Sequence, residues 1–291
     1  MCCQLKILML FKSLANWGRH LSASMLILLS LSACRSTHNP SVNLCDKSAV
    51  IDISGQKFAT GTDPKKSGWL VVECCEDRTS GNANEYTINT NLTDGSSKQW
   101  THFNSGNIEE VRIVKDTADE KVVYVKIKCS EWYKEVKDFD VYFLEINLIA
   151  RKGVPCLLIH QRVRNPTAQP QKLNFGSYTS GVFSWADSAN VNKVDPANKA
   201  WIKIVNGGCV WLEKGEHREN KKGLGVISFT PPGFSVFLGH RIFWGYGSKL
   251  PVPPGEYVES KMAVMTADTP AELLAIYETI KELKFSEFVT P

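Results

Sequence analysis

Tryptophan, tyrosine, arginine and glycine residues in the second half of the chain could together form a ligand-binding surface. The segment Arg241–Gly247 (RIFWGYG) places Trp244 and Tyr246 beside glycines. Aromatic rings stack on the apolar C–H faces of sugar rings, polar groups bind the hydroxyls, and glycine permits close approach of a ligand. These residue types predict a carbohydrate-binding surface with the candidates Trp185, Trp211, Arg241, Trp244 and Tyr246. Core packing of the rings, or a bulged strand at 241–247, is the alternative.

Histidines beside carboxylates could supply acid/base chemistry. His217 lies in a charged segment with Glu216 next to it, and a neighbouring carboxylate tunes an imidazole for proton transfer. A solvated hairpin tip is the alternative reading of that segment. His160 alternates with Arg162 on a predicted strand. It would point into a cleft if that face lines a concave sheet, and it would form a satisfied exterior pair if it does not.

The motifs of several common enzyme classes are missing from the sequence. It contains no G-x-S-x-G elbow, phosphate-binding loop, dinucleotide fingerprint or H-E-x-x-H pair. It has no C-x-x-C pair for zinc, and the polar residues between 84 and 94 lack the spacing of a calcium loop. We therefore expect no metal and no cofactor.

The elements that would position these residues are almost all strands. Apolar residues alternate with polar ones in 121–129, and the runs 141–150 and 155–164 are rich in strand-forming residues. Lys152-Gly153 between the last two runs predicts a hairpin. The sequence Asn206-Gly207-Gly208 predicts a second hairpin between two tryptophan-bearing strands. Many short strands with close turns indicate an antiparallel sandwich or barrel.

A single helix is expected near the end of the chain. Thr269 is a suitable cap, Pro270 fits the first turn, and Glu272 suits the helix N-terminus. Apolar residues then recur at helical spacing as far as Leu283. This pattern predicts a short C-terminal helix that packs on the outside of the sheets.

The N-terminal region has the layout of an export signal. Basic residues precede the apolar run Met25–Ala33, which has nine residues, whereas about 20 are needed to span a bilayer. The run ends in Leu31-Ser32-Ala33-Cys34, which resembles the lipobox of bacterial lipoproteins. The resemblance implies that Cys34 becomes the lipidated first residue of a mature chain held at a membrane by its acyl chains. A plain signal peptide with a chance cysteine is the alternative.

Charge and cysteine usage agree with an exported chain. Removing residues 1–33 takes away three basic residues and no acid, so Lys plus Arg falls from 34 to 31 against 30 acids. A near-neutral chain offers no basic field, and we expect no nucleic-acid partner. The chain has nine cysteines. When positions 2, 3 and 34 are set aside, six remain, and this even number permits disulfides. Cys129, Cys156 and Cys209 lie in strand-like runs, where buried free thiols are expected.

Four segments resemble galactose mutarotase-like proteins in their order along the chain. They are EINLIARKGVP from Glu145, RVRNPTAQP from Arg162, LPVPPGE from Leu250 and DTPAE from Asp268. The resemblance covers roughly 68–283 and implies an all-β, antiparallel β-supersandwich with a short C-terminal helix. It also implies a carbohydrate ligand. The histidine-bearing H-x-Y-F-N-L motif of that family is absent, so its catalytic pair is not transferred and enzymatic activity stays open.

These observations predict three regions: a lipoprotein signal peptide at 1–33, a tether at 34–48 and the β-supersandwich at 49–291. The expected protein is anchored at the bacterial cell envelope, at the outer membrane facing the periplasm or the exterior. It is expected to bind carbohydrate in a groove, with the membrane as its other partner. The alternative is a non-catalytic structural or assembly lipoprotein that binds a protein partner.

Overall fold

The computed structural model describes residues 39–61, 70–73, 85–93, 100–103, 105–129, 142–180, 183–187, 201–205, 208–214, 223–229, 233–237, 241–247 and 251–291. These residues form two antiparallel sheets and one α-helix. The first strands are β1 (Ser41–Cys45), β2 (Ser48–Ile53), β3 (Gln56–Thr60), β4 (Leu70–Glu73), β5 (Glu85–Thr93), β6 (Trp100–Phe103), β7 (Ile108–Asp116), β8 (Glu120–Lys128) and β9 (Phe143–Arg151). A short 3-10 helix at Ser105–Asn107 precedes β7.

The second half of the described chain continues the same pattern. Its strands are β10 (Leu157–Arg164), β11 (Asn174–Ser180), β12 (Phe183–Asp187), β13 (Trp201–Val205), β14 (Gly208–Lys214), β15 (Gly223–Ser228), β16 (Gly233–Phe237), β17 (Arg241–Gly247) and β18 (Tyr257–Ala267). The helix α1 (Pro270–Ile280) follows β18. The predicted all-β, antiparallel supersandwich with a short C-terminal helix is therefore confirmed.

The strands pair in two sheets whose order differs from the order of the sequence. Among the described residues, the first sheet has ten strands in the order β1-β2-β3-β4-β5-β11-β17-β16-β13, with β6 paired to β5. The second has eight strands in the order β12-β14-β15-β18-β10-β9-β8-β7. The predicted hairpin of β9 and β10 is present, and its turn contains Gly153 at a φ of 76°, a conformation that glycine adopts without strain.

The main hydrophobic core lies between the two sheets because one face of each sheet is apolar. In β8, Val123, Val125 and Ile127 alternate with residues of the other face, and all three are buried in this core. The first sheet contributes side chains such as Phe58 and Ile88, which are fully buried. The period of two that marked 121–129 in the sequence thus corresponds to one buried face.

A second hydrophobic cluster lies on the outer face of the second sheet, where α1 packs. Thr269 caps the helix by accepting a hydrogen bond from the backbone N–H of Glu272, as predicted. Leu273 and Ile280 of the helix are buried against this face. The Cβ of an alanine at Gly225 of β15 would lie 2.5 Å from Leu273 Cδ1, so this glycine lets the helix approach the sheet closely.

Two expectations about the local structure need correction. The turn signal at Asn206-Gly207-Gly208 does not join a hairpin, since β13 pairs with β16 whereas β14 pairs with β12 and β15. A glycine-rich connection specifies a change of direction, but the partner of each strand is decided by packing across the sheets. The segment 34–48, expected as a tether, contains the strand β1, which pairs with β2.

None of the four cysteines among the described residues is assigned to a disulfide. Cys129, Cys156 and Cys209 are buried, as the sequence predicts, while Cys45 is exposed on β1. Complete burial in apolar surroundings raises the pKa of Cys156 to about 12, because the thiolate would lose its hydration there. This thiol is therefore an inert core group.

Candidate functional site

A polar cluster occupies the centre of the outer face of the second sheet. His160 of β10 lies in register with Asn147 of β9 on one side and Lys261 of β18 on the other. Strands β8, β9, β10 and β18 follow one another in the sheet, so their side chains on this face form cross-strand rows. His160 is only 3% exposed and Asn147 is fully buried.

His160 forms a hydrogen-bonded pair with a carboxylate. Its Nε2 lies 3.1 Å from Oε2 of Glu259 on β18. This hydrogen bond lowers the pKa of Glu259, although partial burial opposes the shift. An ionised carboxylate accepts, so Nε2 carries the proton of this bond, and Nδ1 is an acceptor in the tautomer that is protonated at Nε2 alone.

A second carboxylate lies in the same row. Glu145 of β9 accepts a hydrogen bond of 3.0 Å from Arg162 Nε and another of 2.7 Å from the Tyr124 hydroxyl. Burial and the bond to Glu145 raise the pKa of Tyr124 well above its usual range. The Arg162 guanidinium also lies 4.1 Å from the ring centroid of Tyr257 and 3.9 Å from that of Phe288, which favours a cation–π contact.

The residues 283–291, called here the C-terminal segment, cover this cluster. The Phe288 ring lies 4.9 Å from the His160 ring, and the Phe285 ring lies 6.4 Å from it, both edge to face. The segment contains no helix or strand. It is attached to the sheet by the Ser286 hydroxyl, which donates to the Glu120 carboxylate at 2.9 and 3.0 Å.

An arginine strengthens this attachment. Arg151 donates from Nε to Glu120 at 2.7 Å and from a terminal nitrogen to the Lys284 carbonyl oxygen at 3.0 Å. Lys115 also binds Glu120, at 2.8 Å. Burial raises the pKa of Glu120, but the bonds from Lys115, Arg151 and Ser286 together outweigh it and lower the pKa. The C-terminal segment is thus fixed to the sheet by a charged and hydrogen-bonded network.

This arrangement contains the groups for proton transfer, but the imidazole of His160 is not accessible to a substrate. A histidine paired with a glutamate is a common acid/base constellation. The partner of His160 is Glu259, and the two aromatic rings above leave the imidazole almost no exposed surface. The predicted acid/base role of His160 stays a prediction, since a substrate reaches it only after the C-terminal segment has moved.

The predicted carbohydrate-binding residues lie on strands of both sheets. Trp185 on β12 and Trp211 on β14 belong to the second sheet, where they occupy adjacent positions of one strand pair. Arg241, Trp244 and Tyr246 lie on β17 of the first sheet. The backbone positions of these five residues are described, but their side chains lie outside the described part of the structure.

The surroundings of β17 are partly described. Trp244 is in register with Ser177 of β11. The Ser177 hydroxyl is buried, 3.1 Å from Thr90 Oγ1 of β5, and it accepts from Gln161 of β10 at 3.4 Å. These bonds join the two sheets through a polar contact within the core.

Three other predicted residues cannot be placed. His217 and Glu216, the second acid/base pair, and Cys34, the lipidation site, lie outside the described residues. Within the described residues, none of the helices has the length and apolarity that a membrane crossing requires. The same part of the chain holds no group of His, Cys, Asp or Glu side chains suited to a metal ion.

The sequence reasoning missed Asn147 and the aromatic cover. Asn147 is an amide within the run INLIA of the strand FLEINLIAR, where its neighbours are apolar, and that contrast is a signal of a buried polar site. Phe285 and Phe288 follow the helix at a spacing of three. Their spacing indicates a face that could pack against the sheet, although the sequence does not identify its partner.

Comparison with known proteins identifies the fold. A scan against protein-family models finds no match, and a search of curated proteins finds none either. Among solved structures, an α-mannosidase from Enterococcus faecalis V583 is similar at 9% identity and a TM-score of 0.50, over 82% of this chain and 31% of that one. A protein in the glycosyl hydrolase family 38 from Enterococcus faecalis is similar at 10% identity and a TM-score of 0.50, over 82% and 32%.

A third structure has a length closer to that of this chain. It is a putative aldose 1-epimerase from Klebsiella pneumoniae subsp. pneumoniae MGH 78578, with 8% identity and a TM-score of 0.46 over 86% of this chain and 88% of that one. The chain spans about a third of the length of the two Enterococcus proteins. At these identities the likeness to the two Enterococcus structures shows the fold alone, which is an antiparallel β-sandwich.

Proposed function

We propose that this chain is a lipid-anchored protein of the bacterial cell envelope that binds carbohydrate in a groove of its β-sandwich. The observation that carries the proposal is the position of β17. This strand bears Arg241, Trp244 and Tyr246 and lies between β11 and β16 within the first sheet. Its neighbour β11 and the next strand, β5, have the polar sequences NFGSYTS and EYTINTNLT.

The chemistry of these strands suits a sugar. Amide and hydroxyl side chains bind sugar hydroxyls, and aromatic residues stack on sugar rings. Arg241 and Trp244 occupy positions of opposite parity on β17, so they belong to opposite faces of the strand and are tested as separate candidates. Backbone pairing brings Gly245 of β17 opposite Gly176 of β11, and paired glycines allow a ligand close to the sheet. The mannosidase and the family 38 glycosyl hydrolase carry names of carbohydrate-processing proteins. That is an argument by analogy, since one fold hosts many functions.

Binding requires fewer features than catalysis. A binder needs aromatic and polar groups in a groove, whereas an enzyme also needs an accessible acid/base pair. Of the predicted pairs, His160 lies beneath the C-terminal segment. We therefore favour binding, and we retain His217 with Glu216 as the pair to test for turnover of any glycan that binds.

The test is a glycan-array screen of the full chain in detergent, followed by titration of each positive glycan. Arg241→Gln and Trp244→Ala change opposite faces of β17, so we expect one of them to weaken binding at least tenfold, while circular dichroism and the thermal midpoint of that variant stay those of the parent. Arg164→Gln, a change of an exposed arginine on the second sheet, is the matched control. Equal affinity of the parent and of both β17 variants would remove β17 from the proposal.

Exposed residues near the start of the described chain favour one alternative. Leu44 of β1 and Val50 of β2 are each 39% exposed, and β1 is the terminal strand of the described first sheet. An edge strand offers unpaired backbone groups to another chain. A structural or assembly lipoprotein that binds a protein partner at β1 would show no glycan binding and would lose its partner when Leu44 is changed to lysine.

Membrane attachment has its own test. Lipidation requires the thiol of Cys34, so Cys34→Ser is expected to leave the chain uncut or to release it from the membrane fraction. Fractionation and mass spectrometry of the N-terminus distinguish these products from a diacylglyceryl-modified chain. Unchanged membrane retention of Cys34→Ser would contradict the proposed anchor.

A further inference from the structure

Two buried side chains beneath the C-terminal segment have polar atoms without a hydrogen-bond partner among the described residues. Asn147 is fully buried, and both its amide oxygen and its amide nitrogen lack a partner. His160 is only 3% exposed. Its Nδ1 lacks a partner, whereas its Nε2 is bonded to Glu259. Buried polar groups in native proteins are almost always satisfied, so these three atoms point to a ligand.

The three atoms belong to one site. Asn147 and His160 are direct register partners on β9 and β10, so their Cβ atoms are about 4.5–5.5 Å apart. The site offers the Asn147 amide nitrogen, which carries two N–H hydrogens, and two acceptors, the Asn147 oxygen and, in the tautomer protonated at Nε2, His160 Nδ1. A complementary ligand therefore brings both polar hydrogens and lone pairs.

The charge around the site favours a neutral ligand. Arg162 is paired with Glu145, and Glu259 is paired with His160. A fully deprotonated anion such as sulfate would meet the Asn147 oxygen without a proton to donate, and a metal ion could not accept from the amide nitrogen. Hydroxyl groups supply both the donors and the acceptor that the site requires.

We propose that Asn147 and His160 form a hydroxyl-binding site that the C-terminal segment closes. One water oxygen supplies two hydrogens and a lone pair, in agreement with the roughly three hydrogen bonds that buried waters make. A vicinal diol of a polyol or sugar supplies the same set from two adjacent hydroxyls. The chemistry is shared, and the two sources are separated by experiment.

The C-terminal segment determines whether water or a diol can reach the site. Phe288 and Phe285 lie over His160. Water can exchange through small fluctuations of the segment, whereas a diol needs the rings displaced. This site belongs to the second sheet, away from β17, so it stands or falls independently of carbohydrate binding in the first sheet.

The experiment uses crystals of the full chain and of two variants, each with and without 1 M xylitol as the diol probe. In the parent we expect electron density for one oxygen within hydrogen-bond distance of Asn147 Oδ1, Asn147 Nδ2 and His160 Nδ1. Phe288→Ala removes the ring above His160, and Asn147→Leu removes the site. Asn165 is the internal reference, because its buried amide is already bonded to the Gln169 and Val252 carbonyl oxygens.

Each outcome decides the matter. One isolated oxygen in the parent and in Phe288→Ala with xylitol supports the site with water as its source. Two adjacent hydroxyls of xylitol in Phe288→Ala, absent in Asn147→Leu, support the diol. Asn147 bonded to protein atoms in the parent, with no oxygen beside it under either condition, overturns the proposal.

The same site has a solution measurement that does not depend on the Asn147→Leu variant folding well. If the diol is bound, xylitol should raise the thermal midpoint of Phe288→Ala more than that of the parent, because a ligand stabilises the state that it binds. If xylitol raises the thermal midpoints of both proteins equally and the crystals show the isolated oxygen, the bound ligand is water. An equal increase with no oxygen in the crystals counts against the site altogether.

Discussion

Replacing Glu120 by glutamine tests whether the C-terminal segment is fixed to the sheet by a charged network. The Glu120 side chain is 8% exposed and accepts hydrogen bonds from Arg151, Lys115 and Ser286. The side chain of glutamine has nearly the same shape as that of glutamate, but it carries no charge. Its NH₂ group, itself a donor, would face the groups that donate to Glu120. The substitution therefore removes the electrostatic part of the network and leaves the packing in place.

The expected loss follows from the exposure of each partner. Lys115 is 42% exposed, so its contribution is that of a surface pair, about 0–1 kcal/mol. Arg151 is 23% exposed, and a charged hydrogen bond to a buried carboxylate contributes about 1.5–3 kcal/mol. With about 1 kcal/mol for the Ser286 hydroxyl, the free energy of unfolding should fall by about 3 kcal/mol. The thermal midpoint should fall by about 6–12 °C for a domain of this size.

The difference between the two proteins should depend on pH. The pKa of Glu120 in the folded chain is lowered from its ordinary value of 4.5. Its contribution to stability is therefore fully present above pH 4.5 and is lost as the pH falls through the lowered pKa. The gap in thermal midpoint between the parent and Glu120→Gln should be constant at neutral pH and should narrow below pH 4.5.

Calorimetry and hydrogen exchange measure this prediction, with Glu110→Gln as the control. Glu110 pairs with Arg112 at exposed positions, so its loss should change the free energy of unfolding by less than about 0.5 kcal/mol. Backbone amides of the C-terminal segment should exchange faster in Glu120→Gln than in Glu110→Gln. Equal midpoints and equal exchange in the two variants would refute the reasoning.

Two further predictions concern the outer face and the core. Gly225→Ala places a Cβ 2.5 Å from Leu273 Cδ1 and should lower the free energy of unfolding by about 1–3 kcal/mol relative to the parent, measured by urea titration. Iodoacetamide should modify Cys45 of the folded chain within minutes and should spare Cys156 until denaturant is added, because Cys45 is exposed and Cys156 is buried. Peptide mass spectrometry reads the second result, and equal labelling of both thiols would contradict it.

The sequence predicted the elements whose signals are local. Alternation in β8 and the cap at Thr269 each depend on a few neighbouring residues, and both agree with the structure. The pairing of β13 with β16 depends on strands about 30 residues apart, and the local turn signal at 206–208 indicated a different partner. Sheet topology is decided by competition among many strands, which no single turn reveals.

The candidate site was only partly predictable for the same reason. Alternation placed His160 and Arg162 on one face, but either face of a strand in a sandwich can be covered. His160 is covered by Phe288, which lies 128 residues further along the chain. Asn147 becomes significant only when its neighbours on β8 and β10 are known.

The position of β18 has a consequence for the order of folding. This strand pairs with β15 on one side and with β10 on the other, although β10 is made much earlier. Until β18 has been synthesised, β10 and β15 each present an unpaired edge, which is open to association with other chains. Pairings of such high sequence separation form slowly. The synthesis of Tyr257–Ala267 therefore sets the earliest time at which the second sheet can form.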